Sequence, residues 1–91
     1  MAERIEDVEV PAEIKSGKAF NVTVHYTSAE GGTVNITYSA AFEGKPPSKD
    51  VPAGGSATFS MTITRVPGTK QKSCRITFTM GNKVIKQRAV T

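Results

Sequence analysis

The chain contains very few of the side chains that most often support catalysis or metal binding. It has no tryptophan, one histidine, His25, and one cysteine, Cys74. A single cysteine cannot form an internal disulfide, which excludes a disulfide scaffold. A zinc site needs about three or four N, S or O ligands placed together, and these two are the only soft ones. We therefore predict no catalytic residue, no metal site and no cofactor, and expect that the protein is not an enzyme.

Long apolar runs are also missing. None approaches the ~20 residues that cross a bilayer, so membrane insertion is not expected. The first segment, Met1–Asp7, is acidic and polar, unlike a signal peptide. Either the protein stays in the cytosol or Met1 is the start of an excised domain. An excised domain or a decoration protein would favour an extracellular surface or a virion as its location.

The net charge of +4 is unevenly distributed along the chain. Residues 1–13 carry five acids against Arg4 alone, whereas residues 65–91 carry seven bases and no acid. The two ends are therefore oppositely charged. We predict that the acidic first strand lies near the basic last strand, whereas opposite edges would instead favour head-to-tail association between modules. The positions expected to meet are Glu6 or Glu9 with Lys86 or Arg88.

Alternation of apolar and polar residues is the main pattern that is present. In Lys18–Thr27, Phe20, Val22, Val24 and Tyr26 alternate with polar residues, which is the period of a half-buried strand. Basic residues in the last such segment are expected to point outward from an edge strand. No segment has the 3.6-residue period of a helix. Further strands are predicted at Arg4–Val10, Thr33–Ala41, Ser56–Thr64, Ser73–Met80 and Lys83–Val90.

Shared parity within each strand predicts the core, because a slip of one residue would turn a whole face outward. Cys74 belongs to this set, so we expect a reduced, buried thiol that reacts slowly with thiol reagents. His25 has the opposite parity and is predicted to be a lone surface histidine. The residues expected to be mostly buried are Val10, Phe20, Val22, Val24, Ile36, Tyr38, Phe59, Met61, Ile63, Cys74, Ile76 and Phe78.

Glycine and proline clusters separate the predicted strands. Ser28–Gly32 and Val66–Lys70 are typical of turns, and Gly81-Asn82 is typical of a two-residue hairpin. Glu43–Pro52 contains three prolines and is predicted to be a loop, with room for a short edge strand at Ser48–Val51. Six or seven short strands joined in this way predict a single all-β domain, residues 1–91, with the architecture of an antiparallel β-sandwich.

Two stretches resemble a known class of module. They are Val10-Pro-Ala-Glu-Ile-Lys-Ser-Gly-Lys-Ala-Phe-Asn-Val-Thr-Val and Val51-Pro-Ala-Gly-Gly-Ser-Ala-Thr-Phe-Ser-Met-Thr-Ile, each leading from a turn into an alternating strand. The chain resembles immunoglobulin-like modules, and more narrowly the CARDB-like or fibronectin-like modules of bacterial and archaeal surface proteins. Similar modules decorate phage capsids and support transglutaminase-type enzymes. The resemblance implies an immunoglobulin-like sandwich of about seven strands and a non-catalytic role, and it implies no site residues.

The predicted function is that of a structural or binding module. It would be an accessory or spacer domain of a cell-surface or adhesion protein, or a capsid decoration domain, with a protein or surface partner. The alternative is a carbohydrate-binding module. Such a module would use exposed aromatic side chains, whereas the candidates in this chain, Tyr26, Tyr38 and Phe42, are expected to face inward.

Two further patterns bear on partners. The basic C-terminal third lacks exposed aromatics, so a nucleic-acid partner is not expected. Asn21 and Asn35 both fit the glycan-acceptor pattern, which threonine-rich strands also produce by chance. The oligomeric state stays open at the level of the sequence.

Overall fold

A computed structural model describes residues 3–91 of the chain. These residues form nine strands and no helix. The strands are β1 (Arg4–Glu9), β2 (Glu13–Ile14), β3 (Ala19–Ser28), β4 (Gly32–Tyr38), β5 (Phe42–Lys45), β6 (Ser48–Val51), β7 (Gly54–Arg65), β8 (Ser73–Met80) and β9 (Asn82–Val90).

The strands belong to two sheets. The order is β1-β3-β7-β5 in the four-stranded sheet and β2-β9-β8-β4-β6 in the five-stranded sheet. Strand β2 runs parallel to β9, and the other pairs are antiparallel. The prediction of an all-β fold is confirmed. The described residues form nine strands instead of about seven, and one of the strand pairs is parallel, so the prediction of a purely antiparallel arrangement was wrong.

The strands that the sequence did not predict are short and lie at sheet edges. Strand β2 contains only Glu13 and Ile14, too few residues to show an alternation. Strand β5 begins at Phe42, its one buried residue, and continues through Lys45 into the segment predicted to be a loop. The edge strand predicted at Ser48–Val51 is confirmed as β6. Short edge strands carry little periodic signal because only one neighbouring strand constrains them.

The core draws on both sheets, and the predicted parity is confirmed. Nine of the twelve predicted core residues are buried. The other three, Val10, Phe20 and Tyr38, are half-buried and pack against the core. Cys74 is fully buried, and this burial raises the pKa of its thiol. Its slow reaction with thiol reagents stays a prediction.

Strand β1 is an edge strand of the four-stranded sheet, and β9 lies beside it in the other sheet. The prediction that the last strand is an edge strand was wrong at its end, where β2 pairs with Ala89 and Val90. Lys86 Nζ lies 3.3 Å from Asp7 Oδ1, and Arg88 Nε donates a hydrogen bond to the carbonyl oxygen of Pro11 at 3.0 Å. The acidic first strand therefore lies near the basic last strand, as predicted. The backbone amide of Val8 and the Lys86 ammonium together lower the pKa of Asp7.

The residues that make this contact differ from the prediction. The register of β1 shifts between Ile5 and Asp7, so the side chains beyond the shift change direction. Glu6 and Glu9 consequently bond within their own sheet. The expected outward direction of the last basic residues was also wrong for two of them. The half-buried residues of β9 alternate in step with buried Val90, and this set includes Lys86 and Arg88.

Asn82 makes a third contact between β9 and β1 on the same side of the molecule. Its Oδ1 accepts a hydrogen bond from the Ile5 amide at 2.6 Å, and its Nδ2 donates to the Ile5 carbonyl at 2.9 Å. The pairs Asn82–Ile5, Lys86–Asp7 and Arg88–Pro11 define what we call the β1–β9 seam. Because the two strands belong to different sheets, these side chains connect the sheets where no backbone ladder does.

Candidate interaction site

Strand β7 has a neighbour on both sides along only part of its length. It pairs with β3 from Gly54 to Thr62 and with β5 only from Thr62 to Arg65. After Lys45 the chain leaves the four-stranded sheet and enters β6 of the other sheet. The segment Gly54–Met61 therefore has no neighbouring strand on its β5 side.

A groove lies between this free edge and β6, the edge strand of the five-stranded sheet. One wall belongs to the crossing segment and β6, and the other belongs to β7. We call it the β7 groove, lined by Lys45, Pro46, Ser48 and Lys49 on the first wall and by Phe59, Ser60 and Thr62 on the second.

The first wall of the groove is fixed to β4. The hydroxyl of Tyr38 donates a hydrogen bond to the Pro46 carbonyl at 3.1 Å, and the Ile36 amide donates to the Pro47 carbonyl at 2.9 Å. A side chain at Gly44 would overlap the Tyr38 ring, so glycine is required for the ring to lie against β5. The crossing segment is thus held by backbone and side-chain bonds on consecutive residues.

Tyr38 connects this wall to the pH dependence of stability. Burial raises the pKa of Tyr38. The folded protein therefore keeps this phenol protonated above its ordinary pKa of about 10. Its contribution to stability is complete below pH ~10 and is lost as the pH rises further. We expect Tyr38→Phe to lower the free energy of unfolding by about 1 kcal/mol at neutral pH, through loss of the Pro46 bond.

The measurement is urea denaturation from neutral pH to about pH 11, which lies above the ordinary tyrosine pKa of about 10. The free energy of unfolding should fall more steeply above pH ~10 in the unmodified protein than in Tyr38→Phe. In this comparison, the reference protein and the Tyr38→Phe variant should both carry Cys74→Ala. The buried thiol would otherwise also make the free energy of unfolding fall with rising pH, because burial raises its pKa. Equal slopes in the two proteins would contradict the assignment to Tyr38.

The charged residues that line the β7 groove are both lysines. Lys45 and Lys49 line it, and neither takes part in an ion pair among the described residues. The residues lining the groove include no carboxylate. The free edge itself, Gly54–Met61, contains no charged residue. The groove therefore presents unpaired backbone beside two lysines, an arrangement suited to hydrogen bonding and ion pairing.

His25 and Cys74 lie apart from the groove and from each other. His25 Nε2 is 2.6 Å from Glu9 Oε2 on the four-stranded sheet, whereas Cys74 is buried and accepts a hydrogen bond from the Ser39 hydroxyl at 3.8 Å. The sequence did not predict that Glu9 would be the partner of His25. Only the register of β1 on β3 brings these two residues together.

The aromatic side chains that could support carbohydrate binding are buried or half-buried. Tyr26 and Phe42 are buried and Tyr38 is half-buried, as predicted. Ile85, on the five-stranded sheet, is the exposed large hydrophobic residue of the described chain, with 56% of its surface accessible. The two candidate glycan acceptors, Asn21 and Asn35, are exposed.

No protein-family model matches the chain, and no curated protein matches its sequence. Within residues 3–91, no group of three or more His, Cys, Asp or Glu side chains could hold a metal ion. The same residues include no helix of the length and apolar character needed to cross a membrane.

Proposed function

We propose that this chain is a non-catalytic structural or binding module that engages a protein partner through the β7 groove. One observation carries the proposal: eight residues of β7, Gly54–Met61, form an uncharged sheet edge without a neighbouring strand. Sheet proteins usually shorten, charge or cover such edges, because an unpaired edge is a template for another chain. An edge left open here favours a surface kept for a partner.

The finer fold that we propose is an immunoglobulin-like β-sandwich. Constant-type domains have one sheet with the order A-B-E-D and a second formed by C, F and G. The orders β1-β3-β7-β5 and β9-β8-β4 correspond to these, which supports the proposal. Strand β6 lies beside β4, where variable-type domains add strand C′. It follows β5 in the chain, whereas C′ precedes D in those domains.

A module of this kind would serve as an accessory or spacer domain of a surface protein, or as a virion decoration domain. The polar outer faces and short loops would leave the sheet edges as its distinctive surfaces. The aromatic side chains that carbohydrate binding would require are buried or half-buried. The geometry therefore favours a protein partner over a polysaccharide.

Site-specific photo-crosslinking tests the proposal. A photoreactive phenylalanine replaces Ser60, which lines the β7 groove, or Thr37, an exposed residue of the five-stranded sheet that serves as the matched control. In extracts of the cells that make the protein, we expect a discrete cross-linked protein from position 60 and none from position 37. The same products from both positions, or none from position 60, would overturn the proposal.

A further inference from the structure

We propose that the β7 groove binds an extended acidic segment of a protein partner, which adds to the four-stranded sheet as a strand in line with β5. This inference rests on the proposed function and specifies its partner.

The backbone of Gly54–Met61 offers the hydrogen-bonding groups for such an addition. In a sheet, alternate residues of a strand direct their N–H and C=O groups away from a given neighbour. Beyond the ladder to β3, no other backbone–backbone hydrogen bond of the described residues reaches this segment. Eight residues at about 3.3 Å each span roughly 27 Å, enough for an extended peptide of the same length.

The remaining sheet edges are protected in ways that the β7 edge is not. Strand β1 contains the register shift, three acidic residues, and the Asn82 bonds to the backbone of Ile5. Strand β9 is covered by β2 at its end and turns Lys86 and Arg88 toward the β1–β9 seam. Strands β5 and β6 have four residues each; Pro46 follows β5, and β6 lies between Pro47 and Pro52. Charge, brevity and proline are the usual devices that prevent strand addition.

The two lysines and the apolar side chain of Phe59 in the groove indicate the chemistry of the added strand. Lys45 and Lys49 face it without a carboxylate among the lining residues, so an acidic segment is complementary. Phe59 lines the same groove and keeps 8% of its surface accessible. A segment with alternating acidic and apolar residues would meet both features, because successive side chains of a strand point to opposite faces.

A second copy of this chain is a poor occupant of the groove. Pairing of two β7 edges about a two-fold axis would bring the lysines of both copies, Lys45 and Lys49, to one interface. The acidic strand β1 would suit their charge, but its outer edge at Ile5 is already bonded to Asn82. These contacts favour a different protein as the source of the segment.

The probe is a fluorescent peptide of eight residues in which aspartate and valine alternate. Its controls are the same peptide with lysine for aspartate, and the aspartate peptide interrupted by proline, which cannot form a continuous strand. Binding to the full chain is measured by anisotropy up to about 1 mM, the range of weak affinities. We expect the acidic peptide to bind at least tenfold more tightly than either control, and less tightly as salt increases.

Charge reversal locates the binding site. We expect the double variant Lys45→Glu, Lys49→Glu to bind the aspartate peptide at least tenfold more weakly and the lysine peptide more tightly. The matched control, Lys15→Glu with Lys18→Glu, makes the same charge change at exposed positions outside the groove and should leave both affinities unchanged. Hydrogen exchange should slow at alternate amides of Gly54–Met61 when the aspartate peptide binds.

The outcomes separate this inference from the proposed function. No binding of the aspartate peptide at 1 mM, equal binding of the two charged peptides, or protection at β9 instead of β7 would overturn the acidic-strand inference. If position 60 still cross-linked a partner, the proposed function would stand with another mode of contact. If position 60 gave no specific product, the proposed function would fail as well.

Discussion

Replacement of Phe78 by alanine is expected to lower the free energy of unfolding by about 3–5 kcal/mol. Phe78 lies on β8 with no accessible surface, and it is the largest of the fully buried side chains. Truncation removes the transfer free energy of the ring and leaves a cavity that the two sheets cannot fill without moving. A domain of this size has a total stability of about 5–15 kcal/mol, so much of it would be lost.

Urea denaturation of Phe78→Ala and Phe59→Ala, compared with the unmodified protein, checks this prediction. Phe59 is a matched control of the same residue type at the border of the β7 groove, with 8% of its surface accessible. We expect it to give the smaller loss, because side chains next to an open groove can relax toward the vacated volume. A loss below 1 kcal/mol for Phe78→Ala would contradict the proposed packing of the core.

Asn82→Ala is expected to lower the free energy of unfolding by about 2 kcal/mol. The substitution removes both hydrogen bonds to Ile5 and leaves a partly buried amide and carbonyl without those partners. The cost of such unsatisfied groups exceeds the net contribution of an ordinary exposed hydrogen bond. Ile5 is itself a core residue, so the loss also loosens the attachment of β1 to the rest of the core.

The matched control is Lys83→Ala, which alters the adjacent, exposed residue of the same strand. It should change the stability by less than about 0.5 kcal/mol. Amide exchange at Ile5 should accelerate in Asn82→Ala and stay unchanged in Lys83→Ala. If the two variants were equally stable, the β1–β9 seam would have no energetic importance at this end.

Side-chain parity is the property that the amino-acid sequence determined most directly. The alternation in β3, β7 and β8 placed Val22, Phe59 and Phe78 inside, and the bounds of β8 agree with the prediction. Parity is a local property, because successive residues of a strand must face opposite sides whatever the strand pairs with. The all-β class and the absence of a helix in the described residues followed from the same periodicity.

The tertiary structure decided which strands are neighbours and which edges remain open. Asp7 meets Lys86 because a register shift in β1 turns it toward the other sheet. Ile5 is out of step with Val8 and Val10, which predicts a bulge near Glu6-Asp7, but this local pattern does not specify which residue of another strand Asp7 will meet. The free edge of β7 exists because the chain leaves the sheet after Lys45, where β5 has covered only the far end of β7. Periodicity encodes the face of each residue, whereas an open edge depends on strand order and on the lengths of neighbouring strands. Those depend on contacts between residues far apart in the chain.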